Sequence, residues 1–578
     1  MAIVAYRWVT LNILSHLLIC VHLYASFTNA AKLGRSAVRS DLCNSEIYCT
    51  GELLKTIQLT RIFNDSKTFV DHYQLNDPAV TLANFNKLMS ETGGKPDREQ
   101  IVRYVNENFA IEDELANWTL PDWQENPGIL KRIEDRDFRS WVRDLNELWK
   151  FLAKKIGPET IANPQRHSLI PVDNGFIVPG GRFQEFYYWD SYWVIKGLLI
   201  SGMRSTPRGM IENFLSMVSR FGFVPNGGRV YYLMRSQPPF LISMVETYLS
   251  YAFDMQFLID NLPTLEKEFA YFHDEKTTDV VVGGKTYRMA RYYVESDGPR
   301  PESYREDYEL AQKLPPGTDH ERFYEDVKAG AESGWDFSSR WFISADGGIG
   351  NLSQIETRNI IPVELNALLQ KNARMLAKYN IMLGNDAKAK YYVSIAEEYQ
   401  RGIDEVLWNE EEGIWLDWDM KNARHRNHFY PTNLSPLYTR SFDFSKASLY
   451  AAKAVVYLER NRIGDFMGGI PSSLLHTSEQ WDFPNAWAPL QSIMVQGLRN
   501  TDAEPALSLA RELATRWLRA NFIGYTETGA MFEKYDAEVP GRYGGGGEYH
   551  VQTGFGWTNG VVIEFLDIYP NATSSDAL

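Results

Sequence analysis

The sequence lacks the motifs that mark several large classes of enzyme. Its ten histidines show neither the H-E-x-x-H spacing nor the cysteine–histidine spacing of zinc sites. No G-x-S-x-G motif carries a nucleophilic serine, and no G-x-G-x-x-G motif follows a strand-like segment to bind a dinucleotide. The chemistry-bearing residues that remain are carboxylates beside aromatic rings and arginines.

Basic residues are also in short supply. Lysine and arginine number 59 against 74 acidic residues, which leaves a net charge of −15 without any basic block. Binding to nucleic acid or to an anionic membrane needs cations that neutralise phosphates, so this balance argues against both partners. A neutral small molecule is the better prediction.

Long apolar runs are absent except near the N-terminus. The run over residues 11–27 is interrupted by Asn12, Ser15, His16 and His22, and Thr28-Asn29-Ala30 follows it. The interruptions make a poor membrane span, whereas the small residues fit a signal cleavage site. We predict a signal peptide over residues 1–30, no stable membrane span, and a secreted, extracellular protein.

Cysteine is scarce too, with three residues in the chain. Cys20 lies in the predicted signal, which leaves Cys43 and Cys49 close together in DLCNSEIYC. In an oxidising compartment such a pair predicts a local disulfide. Five N-x-S/T sequons are compatible with surface glycosylation, at Asn64, Asn117, Asn351, Asn433 and Asn571.

The remaining sequence is organised as successive amphipathic, helix-like segments. A lead-in over residues 31–60 precedes a single predicted domain over 61–568 and a polar tail over 569–578. Helical periodicity is found at 80–90, 98–109, 139–156, 210–221, 240–261, 363–383, 386–407, 445–460, 486–498, 504–521 and 557–567. The later segments arrive two by two, which predicts an array of helical hairpins. The one clear strand signal is a hairpin over 280–291, around Gly283-Gly284.

One stretch, residues 179–193 (PGGRFQEFYYWDSYW), concentrates seven aromatic residues, two acids and an arginine. Flat apolar faces beside hydrogen-bonding groups suit a neutral hydroxylated ligand such as a sugar. A buried aromatic cluster with satisfied charges explains this stretch equally well when it is taken alone. Similar mixtures recur at NGGRVYYLMRSQPP, SDGPRPESYR, ESGWDFSSRW, QWDFPNAWAP, EKYD and GGGGEY, and two of their acids could serve as the acid and base of glycoside cleavage.

PGGRFQEFYYWDSY and QWDFPNAWAP resemble the two signature stretches of the trehalases, glycoside hydrolase family 37. The likeness runs from DSKTFVD at Asp65 to GWTNGV at Gly556, and the short cysteine-bearing lead-in is most similar to secreted insect members. Phe483 and Ala488 stand where tyrosine and proline are common, and neither change removes a polar group. The resemblance implies an all-α (α/α)6 toroid with long loops and a few short β-hairpins. It also implies hydrolysis of α,α-trehalose to two glucoses with inversion at one anomeric centre.

By the same resemblance, Asp336 is the general acid and Glu533 the general base that activates water. Inversion leaves room for that water, so their carboxyls are expected roughly 6.5–9.5 Å apart. Trp335 and Phe337 would desolvate Asp336 and keep it protonated, while Lys534 would favour a charged Glu533. We expect no metal and no cofactor, because this chemistry needs only carboxylates and positioning.

The resemblance also implies a set of substrate-binding residues: Arg182, Trp189, Asp190, Asn226, Arg235, Ser236, Gln237, Arg300, Pro301, Glu302, Gly334 and Glu548. Since trehalose is uncharged, the three arginines should act as hydrogen-bond forks to hydroxyls. Trp481, Trp487 and Trp557 offer either stacking faces or core packing, and the glycines at 544–547 suggest a mobile lid.

Three other functions fit parts of this pattern. They are another inverting glucosidase on the same toroid, such as a glucoamylase-like enzyme, a sugar-binding protein without chemistry, and a purely structural secreted toroid. No obligate protein partner is implied by the sequence.

Overall fold

The computed structural model describes residues 42–111 and 114–575. The predicted signal peptide lies outside these residues. Helices dominate the described chain, with bounds α1 Gly51–Leu59, α2 Ser66–Val70, α3 Pro78–Glu91, α4 Arg98–Asn108, α5 Arg136–Leu152, α6 Pro158–Ala162, α7 Asp190–Ile200, α8 Ser205–Phe221, α9 Leu241–Ala252, α10 Met255–Glu275, α11 Tyr304–Ala311, α12 His320–Glu332, α13 Val363–Met382, α14 Asp386–Gly402, α15 Ser435–Thr439, α16 Ala447–Arg460, α17 Ala488–Arg499, α18 Glu504–Thr528 and α19 Gly556–Ile568.

Six of these helices form a closed inner ring. In order around the ring they are α7, α9, α13, α15, α17 and α19, each packed on the next, and α19 packs back on α7. Inner helices such as α7 and α19 bury residues on nearly every side, as expected of a helix surrounded by protein. The ring closes tightly because Gly197 and Gly560 let two backbones approach; a Cβ on Gly197 would lie 2.8 Å from the Gly560 Cα.

A second layer of helices surrounds the ring. Helices α5, α8, α10, α14 and α18 pack on its outside, and α16 packs beside α18 in the same layer. The outer helix α5 buries a single stripe, including Phe138, Trp141, Val142 and Leu145, the i, i+3, i+4, i+7 spacing of a surface helix. Six inner and six outer helices make the (α/α)6 toroid, so the fold prediction is confirmed.

The boundaries show where periodicity is misleading. The predicted helix over 240–261 is two helices, α9 and α10, because Phe253 between them has a left-handed φ of 51°. The predicted helix over 139–156 ends at Leu152, and 153–156 form a strand. The predicted helix over 386–407 ends at Gly402, where a wider turn of helix continues to Leu407. The sequence predicts no helix over α7, because residues buried on nearly every side leave no one-sided apolar period.

The pairing of the last helices also differs from the sequence order. Residues 445–460 are predicted to pair with 486–498, and 504–521 with 557–567. In the structure the short helix α15 precedes α16, and α18 packs chiefly against α17. Helix α15, with five residues, is too short to give a periodic signal.

Strands are short and lie in loops between helices. They are β1 Tyr73–Gln74, β2 Phe109–Ala110, β3 Leu115–Asn117, β4 Ala153–Ile156, β5 Phe176–Ile177, β6 Thr277–Val282, β7 Lys285–Ala290, β8 Ile360–Ile361, β9 Trp408–Asn409, β10 Ile414–Trp415, β11 Trp418–Asp419, β12 Arg424–His425, β13 Asn485–Trp487 and β14 Lys534–Asp536. All are antiparallel pairs or triples, and the predicted hairpin is β6–β7, from Thr277 opposite Ala290 to Val282 opposite Lys285. None of the described helices is long and apolar enough to cross a bilayer.

The lead-in contains the predicted Cys43–Cys49 disulfide. Asn64, Asn117, Asn351 and Asn571 are exposed. Asn433 is fully buried, and its Nδ2 donates to the His428 carbonyl and the Tyr457 hydroxyl, both at 3.0 Å. A glycan at Asn433 is incompatible with this packing, so that part of the prediction is corrected.

Candidate active site

A cavity opens at the N-terminal ends of the inner helices. The loops that enter α7, α9, α13, α17 and α19 supply most of its wall, and about 720 Å³ of empty space lies between them, mouth included. Both predicted catalytic residues line it, with ten of the twelve predicted binding residues: Arg182, Trp189, Asp190, Asn226, Arg235, Gln237, Arg300, Glu302, Gly334 and Glu548.

Two predicted binding residues lie off the wall. Ser236 is fully buried behind it, with its hydroxyl donating to the Val224 carbonyl at 2.6 Å and its backbone N–H to Glu332. Pro301 faces the lead-in side, where its carbonyl accepts from Gln58 at 3.1 Å. Each neighbours a residue that does line the cavity, so adjacency in a motif is not the same as access to a ligand.

Tryptophans build one side of the cavity. Trp481 stacks on Trp487 with ring centroids 3.9 Å apart and planes 3° from parallel. Trp189 meets the edge of Trp557 at 5.8 Å. All four rings line the cavity and are also almost fully buried. Each ring therefore both borders the cavity and packs in the core.

Asp336 lies on this wall between α12 and α13. Burial raises the pKa of its carboxyl to about 7, Glu548 adds to the rise, and Arg300 and Arg235 oppose it. Gln480 holds the residue in place by donating from Nε2 to the Asp336 backbone carbonyl. Within residues 42–111 and 114–575, no side chain donates a hydrogen bond to the Asp336 carboxylate. The group is therefore poised to keep a proton near neutral pH.

Glu533 directly precedes β14 and is buried to 2% exposure. Burial raises the pKa of its carboxyl, while the Lys534 charge, the Tyr549 hydroxyl and the Gln552 N–H favour the ionised form. The Tyr549 hydroxyl donates to Oε1 at 2.8 Å and the Gln552 N–H approaches Oε2 at 3.4 Å. Unlike Asp336, this carboxylate accepts from a side-chain donor, the Tyr549 hydroxyl.

Lys534 influences both acids but pairs with neither. Its Nζ donates to Gln480 Oε1 at 3.0 Å and to the Gly546 carbonyl at 3.2 Å. Successive residues of a strand point to opposite faces, which turns Lys534 away from Glu533. The direct contact predicted between Lys534 and Glu533 is therefore not formed, and the charge of Lys534 acts on Glu533 at longer range.

Asp190 begins α7 on the cavity wall. Burial raises the pKa of its carboxyl well above the usual value, and the charges of Glu533 and Asp336 raise it further. A carboxyl held neutral can donate a hydrogen bond as well as accept one. Asp190, Asp336 and Glu533 are three of the five carboxyls on the cavity wall, and they differ in the charges and donors around them.

Arg235 spans two acceptors on the wall. Its Nε donates to Asn226 Oδ1 at 3.0 Å and its Nη2 to Glu302 Oε1 at 2.6 Å. Nη1 of Arg235 and Oε2 of Glu302 are buried without a partner among the described residues. Buried polar atoms without partners are rare in folded proteins, and on a cavity wall they suit a hydroxylated ligand.

Arg300 and Glu548 form a second polar corner. Arg300 is held by Asp307 through Nε and Nη2, at 2.9 and 2.7 Å, and its Nη2 also donates to Glu548 Oε1 at 2.9 Å. Ser303 donates to the other oxygen of Glu548 at 3.0 Å. The charge of Arg300 is thereby offset by two carboxyl groups.

Arg182 is the most exposed of the three arginines. Its Nη2 lies 2.9 Å from Asp65 Oδ2, and its guanidinium lies 4.7 Å from the centroid of the Tyr549 ring. Asp65 belongs to the DSKTFVD segment, so that stretch supports the wall from outside.

Gly334 and Gln237 fit around Trp189. Gly334 has a left-handed φ of 78°, and a Cβ there would lie 2.7 Å from Trp189 Cζ2. Gln237 accepts the Trp189 backbone N–H at 3.1 Å. The glycine is therefore needed both for its backbone and for the space that the indole occupies.

Several wall residues escape the residue-by-residue prediction: Lys67, Phe183, Tyr187, Tyr232, Ser303, Gln480, Tyr549 and Phe555. Most lie inside motifs quoted from the sequence, and Tyr549 directly follows Glu548. Membership of such a motif was the available signal. Lys67 was hidden because its charge looks like a surface feature, whereas it is buried against Glu185 at 2.9 Å.

A helical toroid with buried carboxyls around a polar, aromatic-lined cavity places the protein among the glycosidases built on helical barrels. The trehalase family model matches residues 61–570. The chain is 65% identical to a trehalase of Pimpla hypochondriaca over 96% of this chain and 95% of the relative. It is 46% identical to a trehalase of Homo sapiens over 94% and 93%. The chain belongs to the trehalase family.

A solved structure agrees on the fold. The neutral trehalase Nth1 from Saccharomyces cerevisiae superposes with a TM-score of 0.54 at 24% identity, covering 68% of this chain and 73% of that one. Similarity at this level of identity supports the toroid alone.

Proposed function

We propose that the protein hydrolyses α,α-trehalose to two molecules of glucose, with inversion at the attacked carbon. Asp336 is the general acid and Glu533 the general base. The observation that carries the roles is the contrast between two carboxyls in one cavity. Asp336 has a pKa raised to about 7 by burial and no side-chain donor among the described residues, whereas Glu533 accepts from Tyr549. Donors favour the ionised form of an acid and their absence favours the neutral form.

The reaction needs one proton delivered and one removed. The Asp336 carboxyl gives its proton to the glycosidic oxygen as the bond from that oxygen to the anomeric carbon breaks. A water attacks the opposite face of that carbon and gives a proton to Glu533. Water thus supplies the new hydroxyl and gives its remaining proton to Glu533, while the leaving glucose keeps the proton from Asp336. Proton exchange with solvent then returns both carboxyls to their starting states.

The wall chemistry favours a neutral, hydroxyl-rich substrate. Arg235 and Arg300 are paired with Glu302 and Asp307, so they offer hydrogen bonds rather than unbalanced charge. The unpartnered Arg235 Nη1 and Glu302 Oε2 supply one donor and one acceptor, which a sugar hydroxyl can satisfy together. Trp189, Asp190, Asn226, Gln237, Arg182, Gly334 and Glu548 complete the proposed binding surface.

Secretion and glycosylation form part of the same proposal. The proposed signal over residues 1–30 directs export, and the Cys43–Cys49 disulfide suits an oxidising compartment. Glycans are proposed at the exposed Asn64, Asn117, Asn351 and Asn571. Peptide mass spectrometry of protein recovered from culture medium checks both, and a first residue well before position 30 would contradict the cleavage.

Proton NMR during hydrolysis tests the reaction and its stereochemistry. Inversion at one of two α carbons should release equal initial amounts of α- and β-glucose, before mutarotation blurs the signals. Release of α-glucose alone would contradict inversion. Maltose serves as the control substrate: turnover of maltose rather than trehalose would favour the glucoamylase-like alternative, and no turnover of either would favour a binding or structural protein.

The pH dependence should follow the two carboxyls. Asp336 must be protonated, so kcat/KM should fall as pH rises through about 7, the pKa to which burial raises this group. Glu533 must be ionised, so kcat/KM should also fall at the acid end. Rates measured over a range of pH check both limbs, and a rate that keeps rising above pH 8 would contradict Asp336 as the acid.

A further inference from the structure

We propose that Tyr549 is a positioning residue for hydrolysis, one that orients the Glu533 carboxylate and stabilises it as the base. The inference rests on the function proposed above, which assigns the base to Glu533. It adds Tyr549 to the residues that support hydrolysis, and it assigns different roles to the two oxygens of the Glu533 carboxylate.

The contact between Tyr549 and Glu533 is short, and neighbouring side chains hold the Tyr549 ring in place. The Tyr549 hydroxyl lies 2.8 Å from Glu533 Oε1. The Tyr549 ring packs edge-on against Phe183, with centroids 5.3 Å apart, and the Arg182 guanidinium lies 4.7 Å from its centroid. With the ring held between these neighbours, the hydroxyl has little freedom to turn away from the carboxylate.

The two oxygens of Glu533 are held unequally. Oε1 accepts the phenol at 2.8 Å, a strong hydrogen-bond distance, whereas the Gln552 N–H lies 3.4 Å from Oε2, beyond the usual range for N–H donors. Oε2 is therefore the oxygen free to accept a proton from water, and Oε1 is the one that anchors the group.

The phenol also affects the charge of the base. Burial and the nearby Glu533 charge raise the pKa of Tyr549 well above its usual value, so the phenol keeps its proton and donates. A donor aimed at a carboxylate favours ionisation. Lys534 and Arg182 act in the same direction on Glu533, whereas the carboxyl of Asp190, if it ionised, would oppose it through like charge. Tyr549 provides the direct contact in this set.

The position of Tyr549 in the chain explains how it is delivered. It follows Glu548, which is fixed by Arg300 and Ser303, and the glycine run 544–547. In that run Gly545 exchanges hydrogen bonds with Asn485 at 2.8 and 3.0 Å. The segment is thus tied down at two points shortly before the tyrosine.

The test is Tyr549→Phe, which keeps the ring and removes the hydroxyl. We expect the acid limb of the kcat/KM profile, which reports the base in the free enzyme, to move up by about one pH unit. Because one pKa unit is a factor of ten, kcat/KM on the acid limb should fall roughly tenfold, with a smaller loss at neutral pH and KM for trehalose nearly unchanged. Tyr543→Phe is the matched control, since Tyr543 lies on the same segment with 60% exposure, and its profile should match the parent.

Two results would overturn the inference. One is a Tyr549→Phe profile identical to the parent in rate and limb. The other is an equal loss at every pH without movement of the limb, which a purely structural role would give. Glu533→Gln is measured beside it: an active Glu533→Gln variant would instead remove the base assignment itself, so the two failures are told apart.

Discussion

Asp336→Asn should fold normally and lose most of its turnover of trehalose. The amide keeps the size of the side chain but has no proton to give the leaving oxygen, and general acid catalysis contributes about 10²- to 10⁴-fold to such rates. Glu533→Gln should lose a similar factor because the amide cannot take a proton from water. Initial-rate assays beside thermal unfolding curves check both losses, and near-parental turnover in either variant would contradict the role assigned to that residue.

An activated substrate separates the two roles. Fluoride leaves without protonation, so Asp336→Asn should recover much of its activity on α-glucosyl fluoride while Glu533→Gln should not. Asp536→Asn is the matched control, since Asp536 lies on the same strand as Lys534 and does not line the cavity. Recovery by Glu533→Gln rather than by Asp336→Asn would reverse the assignment.

The array of helical hairpins was predictable because its signals are local, whereas the closed toroid was implied by the family resemblance. Long outer helices such as α5 carry a one-sided apolar stripe that a single sequence displays. The inner helices are harder to predict, since α7 is buried on nearly every side and shows no one-sided apolar stripe. The break at Phe253 was hidden as well, because a left-handed non-glycine residue leaves no trace in the pattern.

The sequence predicted which loops form the site, but not how the side chains are arranged within it. Motif membership brought Asp336, Glu533 and the arginines to one cavity, yet the sequence could not say which acid keeps its proton. That order depends on the donors around each group, and Tyr549 is 16 residues from Glu533 along the chain. Ser236 was misplaced for the same reason, since only the packed structure shows that its hydroxyl turns inward to Val224.

Arg235→Lys should lower kcat/KM by roughly 10²-fold, although the charge is kept. The guanidinium holds Asn226 and Glu302 at once and still has Nη1 free on a cavity wall. A lysine ammonium is a point charge on a flexible stem and cannot reproduce a planar fork. It would leave at least one buried acceptor unsatisfied, at about 1–3 kcal/mol, and would lose the donor proposed for a sugar hydroxyl.

The control for this substitution is Arg208→Lys, on a half-exposed arginine of α8 that pairs with Glu212 and Asp254. Steady-state kinetics on both variants should show the loss in Arg235→Lys alone. Unchanged kcat/KM in Arg235→Lys would mean that the positive charge, and not the fork, is what the site requires. Glu302 already offsets the charge of Arg235. The feature that the substrate can use is therefore the planar arrangement of the guanidinium N–H donors.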